Sequence, residues 1–208
     1  MTLADALENL LPPDSTLRLG ELQLSRSPEG SFRAVHSRNR DSMERLEKLE
    51  SLAELREMAK FDANNEYRPL KTAPTLKCGW VTECDEPAEF IKRLDAIYPG
   101  LFATWVAYDA GKLDPVSLRT TLDRQTGMYR FAGTINDQMA NEIMREVCSP
   151  GCIRKIAWPI DDQCAVSRIK PHKRFIPPVC TEACTFAVSK ARELVKKAYD
   201  KANAPDES

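Results

Sequence analysis

Residues 148–184 read CSPGCIRKIAWPIDDQCAVSRIKPHKRFIPPVCTEAC and contain five of the seven cysteines of this 208-residue chain. Two C-x3-C pairs, Cys148 with Cys152 and Cys180 with Cys184, are separated by 27 residues, and Cys164 lies between them. An odd number of cysteines cannot be paired completely within one chain. Such a dense group indicates metal binding or redox chemistry more than a set of structural disulfides.

The local sequence around each pair favours convergence of the thiols. Pro150-Gly151 is expected to end the preceding helix and to turn the second cysteine of the first pair back towards the first. After Pro177-Pro178 we predict a final helix that begins at about Thr181 and runs to Ala202. Its N-terminus would present unpaired N–H groups to the second pair, where they stabilise thiolates, the form of cysteine that binds metal.

The segment between the first and last cysteine of this group is basic, although the whole chain has 30 Lys and Arg against 31 Asp and Glu. Six cations (Arg154, Lys155, Arg168, Lys170, Lys173, Arg174) outnumber three acids (Asp161, Asp162, Glu182). A 4Fe–4S cluster on four thiolates carries net negative charge, which this cationic collar would offset. A structural zinc ion uses the same residue types, so the spacing alone leaves iron and zinc open.

Other interpretations of the cysteines also stay open. Cys164 is either a free thiol in a loop or a substitute ligand for one of the paired cysteines. The group would serve equally in a zinc-stabilised interaction module without a redox role, or in a thiol enzyme that uses one C-x3-C pair. Cys78 and Cys84 lie well upstream and are predicted to be strand or core cysteines, because cysteine is readily buried as a small apolar residue.

The overall composition excludes several classes of function. The formal net charge is −1 and 42% of the residues are hydrophobic, so the chain has enough apolar residues for a core but no field that would hold nucleic acid or an anionic membrane. The N-terminal stretch has acids where a secretory signal carries basic residues, and no stretch approaches the roughly 18 apolar residues that span a bilayer. We therefore expect a cytoplasmic protein that binds neither nucleic acid nor membranes.

Hydrophobic periodicity predicts an α+β fold. Over residues 1–75 we expect a short helix at 2–11, a β-hairpin around Ser27-Pro-Glu-Gly30, and a long helix over 42–58 of about five turns that Ser42 caps. A boundary is expected near residue 75, followed by a mixed, helix-rich domain over 76–204 and a polar tail over 205–208.

The helix-rich region has its own pattern. Helices are predicted over 87–98 and 101–108, and residues 115–126 fit either a helix or a strand. The stretch 128–132 has the composition of a strand. Asn136 is predicted to cap a helix whose apolar positions Met139, Ile143, Met144 and Val147 run directly into the cysteine region.

Six stretches of the sequence together carry a resemblance to a known family. They are Tyr67-Arg-Pro-Leu70, Gly79-Trp80, Tyr98-Pro99, Arg124-Gln-Thr-Gly-Met-Tyr129, Cys148-x3-Cys152 with Trp158, and Pro178-Val-Cys-Thr-Glu-Ala-Cys184. In these stretches the chain resembles the cluster-binding module of Deinococcus-type multidomain proteins, in which that module accompanies a CbiX-like sirohydrochlorin chelatase domain. The resemblance implies a 4Fe–4S cluster with Cys148, Cys152, Cys180 and Cys184 as its ligands, and it implies that the N-terminal region is the family's stabilising part.

We expect no chelatase domain in this chain, which would be a departure from that family. Metal insertion into a tetrapyrrole needs histidine and carboxylate side chains, and this sequence has two scattered histidines, His36 and His172. The resemblance then implies an accessory or electron-transfer module for a partner protein, either a chelatase or a redox enzyme, and favours a chain that is not an enzyme alone. The cationic collar, with Trp158 or Phe175, is the expected docking face.

Overall fold

The structure is a computed structural model whose chain contacts divide it into two units. The first comprises residues 1–114 and 171–179, and the second comprises 115–170 and 180–208. Within them the structure describes residues 1–39, 46–62, 64–67, 76–113, 118–125, 127–128, 131–148, 155–156, 175–176, 179–180 and 183–203.

The described part of the chain contains both strands and helices, largely in separate runs, which gives the α+β class expected from the sequence. The strands are β1 (Ser15–Leu19), β2 (Leu22–Arg26), β3 (Phe32–His36), β4 (Glu47–Lys48), β5 (Trp80–Cys84), β6 (Lys155–Ile156), β7 (Phe175–Ile176) and β8 (Val179–Cys180). The α-helices are α1 (Leu3–Leu10), α2 (Leu52–Met58), α3 (Pro87–Ile97), α4 (Leu101–Asp109), α5 (Leu118–Asp123), α6 (Asp137–Ile143) and α7 (Thr185–Ala202).

A six-stranded sheet in the order β4-β5-β3-β2-β1-β7 forms the centre of the first unit. Its inner pairs are antiparallel, whereas β4 and β7 pair parallel to their neighbours at the two edges. Alternate residues of the first two strands, Leu17, Leu19, Leu22 and Leu24, are buried, as the period of a half-buried strand requires. The predicted hairpin is present as β2 and β3, and β1 adds a further strand through a tight turn at Gly20.

Helices α1, α3 and α4 lie where the sequence predicts them. Thr2 and Asp5 form a capping box that starts α1, which ends at Leu10, with Leu11 as its C-cap residue just before the two prolines. Gly100 separates α3 from α4 in a left-handed conformation, with φ of 67°. Phe90 on α3 stacks on Phe32 of β3 with ring centroids 5.3 Å apart, which joins the helices to the sheet.

The long helix expected over 42–58 is not what the structure has. Residues 42–45 lie outside the described residues, Glu47–Lys48 form β4, and the helix α2 is limited to Leu52–Met58. There are two reasons, one local and one distant: Ser51 and Glu54 form a capping box that starts the helix there, and β4 pairs in parallel with β5, which lies more than 30 residues later.

The boundary expected near residue 75 also differs from the division in the structure. Residues 76–113 belong to the first unit, because β5 pairs with β3 and α3 packs on β5. The division instead falls after Asp114.

Helices α5, α6 and α7 surround the core of the second unit. The core contains two aliphatic residues of α5, Ile143 of α6 and small residues of α7. Asn136 caps α6, as predicted, by accepting a hydrogen bond from the Met139 N–H at 2.9 Å. The strand expected over 128–132 is not seen in its described residues: Phe131 and Ala132 donate their N–H groups to the Met128 carbonyl in consecutive turns, and Gly127 precedes them with φ of 78°.

Candidate metal centre

Cys184 is the N-cap residue of α7, the longest α-helix among the described residues. The helix was expected to begin at about Thr181; it begins at Thr185 instead. Cys184 has the extended backbone of a cap residue and its carbonyl accepts the first intrahelical bond, from Val188 at 2.9 Å, but its side chain makes no cap hydrogen bond. The thiol is half-buried and free of any disulfide, so it lies beside the first-turn N–H groups with its sulfur uncommitted.

Cys148 is the last residue of a π-helical turn, Met144–Cys148, that continues α6. A π-helical turn adds one residue to a turn and rotates the residues after it, and such turns are frequent at functional sites. The position of Cys148 is therefore set by this irregular turn and not by a straight continuation of α6.

The π-helical turn packs on α7, so the segments that carry Cys148 and Cys184 are neighbours within the second unit. Val147 and Cys184 are both partly buried against the same apolar core, which includes Ile143 and Ala187. Two cysteines 36 positions apart in sequence thus lie on segments that share one core.

An ion pair connects the same two segments. The Lys190 Nζ on α7 lies 2.6 Å from Glu146 Oε2 on the π-helical turn and 3.2 Å from Glu193 Oε1. The ammonium donates a hydrogen bond to Glu146, and this bond is the main reason why the pKa of Lys190 lies above its ordinary value. The ammonium therefore stays charged at neutral pH, and it holds the turn to the helix two residues before Cys148.

Cys180 is the second residue of β8, a strand that pairs with β6 in a two-stranded sheet. It therefore precedes α7 in an extended segment, and the two cysteines of this pair do not share a helical face. Cys152 and Cys164 lie outside the described residues. Among the described residues no group of three or more His, Cys, Asp or Glu side chains is arranged to hold a metal ion.

The donor chemistry nevertheless fits an iron–sulfur cluster. Thiolates are the ligands of 4Fe–4S clusters, and the Cys184 thiol lies at a helix N-terminus where it forms neither a disulfide nor a cap hydrogen bond. Cys180 and Cys148 end short segments within the same unit.

The expected docking aromatics are only partly described. Phe175 belongs to β7 in the first unit, is half-buried, and lies under the Arg18 guanidinium at 5.4 Å from the ring centroid. Trp158 and His172 are outside the described residues. Among the helices that the structure describes, none has the length and apolar character needed to cross a membrane.

Sequence reasoning missed one group of chemically active side chains, formed by Glu21, His36 and Cys78 in the first unit. Cys78 was expected to be a strand or core cysteine, but it is exposed and precedes β5. The three residues lie far apart in sequence, so no motif would have revealed the group; only the pairing of β2, β3 and β5 brings it together.

Two family models match the chain along its length. Residues 110–193, which contain all five clustered cysteines, match the model of a 4Fe–4S iron–sulfur cluster binding domain. The chain is therefore an iron–sulfur protein whose cofactor is a 4Fe–4S cluster. Residues 5–109, half of the sequence, match the model of the DR2241 stabilising domain, and the chain belongs to that family.

One solved structure shares the fold. The crystal structure of DR2241 from Deinococcus radiodurans, described as a multi-domain protein with structural similarity to chelatases and two additional novel domains, matches with a TM-score of 0.70 at 24% sequence identity. The match covers 94% of this chain and 41% of that chain, so this chain spans about two-fifths of the length of DR2241. No protein of curated function is significantly similar to the chain.

Proposed function

We propose that the 4Fe–4S cluster is held by Cys148, Cys152, Cys180 and Cys184, and that the chain serves a partner protein as an electron-transfer or accessory module. The observation that carries the ligand assignment is the free Cys184 thiol at the N-terminus of α7, packed on the same core as the turn that ends at Cys148. When bound, the cluster supplies a one-electron redox couple.

The chain's own residues have three tasks in this proposal. The N-terminus of α7 places the Cys184 thiol at a helix end, with its sulfur free to bind iron. The ion pair between Glu146 and Lys190 keeps the Cys148 turn against α7. The cationic collar between the cysteine pairs offsets the negative charge of the thiolate-bound group, which raises its potential and provides a surface that attracts an acidic partner.

The proposed partner is a chelatase that acts on sirohydrochlorin, with a redox enzyme as the alternative. Support comes from the resemblance of the cysteine region to modules that accompany chelatase domains, and from the chelatase-like description of DR2241 as a whole. We also propose a cytoplasmic location, because a reducing compartment keeps cluster thiols from forming disulfides.

Metal analysis of the anaerobically purified protein tests the cofactor and its ligands together. We expect about four irons and four sulfides per chain, as a Cys-ligated cubane requires. Replacing any of Cys148, Cys152, Cys180 or Cys184 by Ala should lower cluster content, whereas Cys84→Ala is the matched control and should leave it unchanged. The cluster content of Cys164→Ala decides between the two roles of Cys164: a loss indicates a substitute ligand, and no change indicates a free thiol.

The outcomes separate the alternatives. About one zinc per chain and no iron after anaerobic reconstitution would establish the zinc-stabilised module and remove the electron-transfer proposal. Unchanged cluster content in Cys184→Ala would refute the ligand assignment. For the partner, calorimetric titration of the loaded protein into a sirohydrochlorin chelatase should show saturable binding, and its absence would remove the chelatase proposal while leaving the cluster in place.

A further inference from the structure

Glu21, His36 and Cys78 form a carboxylate–imidazole–thiol cluster at one end of the sheet of the first unit. The Cys78 Sγ lies 3.5 Å from His36 Nδ1, and His36 Nε2 lies 3.7 Å from Glu21 Oε1. The histidine is 2% exposed and the Glu21 side chain 12%, whereas Cys78 is exposed to solvent. A surface thiol thus lies next to a buried imidazole, and a carboxylate lies on the other side of that imidazole.

The hydrogen bonds fix where the imidazole proton lies. The backbone N–H of Arg38 donates to His36 Nδ1 at 3.1 Å, so this nitrogen is the acceptor and carries no proton. A neutral imidazole then has its proton on Nε2, which is buried, has no hydrogen-bond partner within 3.5 Å, and faces the Glu21 carboxylate. Nδ1 is the nitrogen that faces Cys78, and a thiol S–H donates in that direction.

The strands hold each member of the cluster in place. His36 is the last residue of β3, where it pairs with Leu22 across the hairpin. Glu21 lies in the β1–β2 turn, and its Oε2 accepts a hydrogen bond from the Leu76 N–H at 3.0 Å. The Gly79 N–H donates to Asn39 Oδ1 at 2.8 Å, which anchors the residue next to Cys78. The geometry is therefore built by three backbone segments, 21–22, 36–39 and 76–79, and not by a single loop.

Two further described side chains near the cluster, Lys77 and Tyr98, have contacts of their own. The Lys77 ammonium hydrogen-bonds Asn65 and lies over the Phe61 ring, 5.4 Å from its centroid. The Tyr98 hydroxyl accepts from the Glu21 backbone N–H at 3.4 Å. Glu21 is thus the carboxylate that faces the buried side of the imidazole, and Cys78 is the group on its outer side.

We propose that Cys78 is a nucleophilic thiol, with His36 as its base and Glu21 as a positioning residue, which reacts with small-molecule disulfides to form a reversible mixed disulfide. The Cys78 sulfur attacks one sulfur of the reagent, a new S–S bond forms, and the S–S bond of the reagent breaks. The thiol proton passes to His36 Nδ1, which loses its hydrogen bond from the Arg38 N–H as it takes the proton. The proton then passes to the departing thiolate, which leaves as a thiol. Glu21 stabilises the transient imidazolium.

This site is separate from the metal centre, since its three residues belong to the first unit and none of them is a proposed cluster ligand. The proposal therefore stands or fails independently of the cluster. A modification here would mark the stabilising-domain part of the chain according to the thiol–disulfide state of its surroundings.

The test is the rate of alkylation of Cys78 in the full-length loaded protein, followed by peptide mass spectrometry with iodoacetamide. Trypsin cleaves after Lys77 and Lys92, so Cys78 and Cys84 lie in one peptide, 78–92, and their labelling is measured in the same sample. Cys84 is the internal control: burial raises the pKa of its thiol to about 11, and its sulfur lies 3.7 Å from the Glu86 carbonyl.

The decisive variant is His36→Asn, because the asparagine Oδ1 can still accept from the Arg38 N–H but cannot take a proton. An unassisted thiol is only a few per cent thiolate at pH 7, so loss of the base should slow Cys78 labelling by about tenfold while exposure is unchanged. Glu21→Gln keeps an acceptor for the Leu76 N–H and should slow labelling less. Cys84 labelling should stay constant in both variants.

Glutathione disulfide is the probe for the proposed reaction. We expect a glutathionyl group on Cys78 and none on Cys84, with dithiothreitol restoring the free thiol. Wild-type labelling rates at Cys78 in His36→Asn, or equal glutathionylation of Cys78 and Cys84, would overturn the proposal. If His36→Asn does not fold, an unchanged ratio of Cys78 to Cys84 labelling in Glu21→Gln overturns it instead.

Discussion

Replacement of Cys184 by Ser should destroy the cluster site. In the cluster-free state, the serine variant should be more stable than the variant with alanine at the same position. Cys184 already has the backbone of an N-cap residue, with φ of −79° and ψ of 165°, but its thiol caps nothing. A serine hydroxyl at the same position can accept a hydrogen bond from the N–H of Phe186 or Ala187 without any change in the backbone. A capping side chain contributes about 1 kcal/mol, in a range of roughly 0.5–2 kcal/mol, over alanine at this position.

The matched control is Cys184→Ala, which loses the sulfur and its packing but adds no cap. Both variants should lose cluster content, because a hydroxyl is a poor substitute for a thiolate ligand of iron. In the cluster-free state the serine variant should unfold at a higher temperature than the alanine variant, by about 2–4 °C for a chain of this size. Thermal unfolding followed by circular dichroism, after removal of iron with a chelator, measures this difference.

Two results would refute the reasoning. If the serine variant keeps its full iron and sulfide content, Cys184 is not a ligand. If the serine and alanine variants unfold at the same temperature in the cluster-free state, the side chain at residue 184 does not lie where it can cap α7. The paired result that we expect would show that the chain gives up a helix cap at this position in favour of a metal ligand.

Three further predictions concern the framework of the two units. Burial raises the pKa of Asp95 above its ordinary value of 3.8, so ionised Asp95 destabilises the folded state at neutral pH. Asp95→Asn keeps an acceptor for the Gly100 N–H and should raise the free energy of unfolding at pH 7. Urea titrations should show that this gain vanishes below about pH 3.8, where the carboxyl group is protonated in both the folded and the unfolded state. Gly100→Ala should lower the free energy of unfolding by about 1–2 kcal/mol, because φ is 67° there. Gly133 has a negative φ and open space where a Cβ would lie, so Gly133→Ala should change the same quantity by less than about 1 kcal/mol in the same assay. Ile143→Ala removes a fully buried side chain from the core of the second unit and should cost about 2–5 kcal/mol, against about 1 kcal/mol for Ile143→Val in chemical denaturation.

Elements with strong local signals were predictable from the sequence. The capping pair of Thr2 and Asp5, the turn at Ser27-Pro-Glu-Gly30 and the Asn136 cap each act within a few residues of themselves. Their outcome does not depend on the rest of the chain, so helices α1 and α6 and the β2–β3 hairpin lie where the pattern places them. The same holds for α3 and α4, which are separated by Gly100.

Elements that depend on distant partners were not predictable. Leucine spacing over 42–58 fits a helix, but Glu47–Lys48 pair as a strand with β5, more than 30 residues later. The stretch at 128–132 has strand composition, but its described residues belong to no strand, and Met128 is buried in the core of the helical unit. In both cases the tertiary surroundings override the local propensity.

By itself the sequence determined which chemical groups this protein carries: the density of cysteines and the basic segment between them are properties of composition and order. Only the tertiary structure decided which groups meet. It made Cys184 the cap of α7 beside the Cys148 turn, and it brought Cys78 to His36 and Glu21 across three strands. The physical reason is that spacing constrains contacts within one helix or one turn, whereas contacts between segments depend on strand register and core packing, which no short motif encodes.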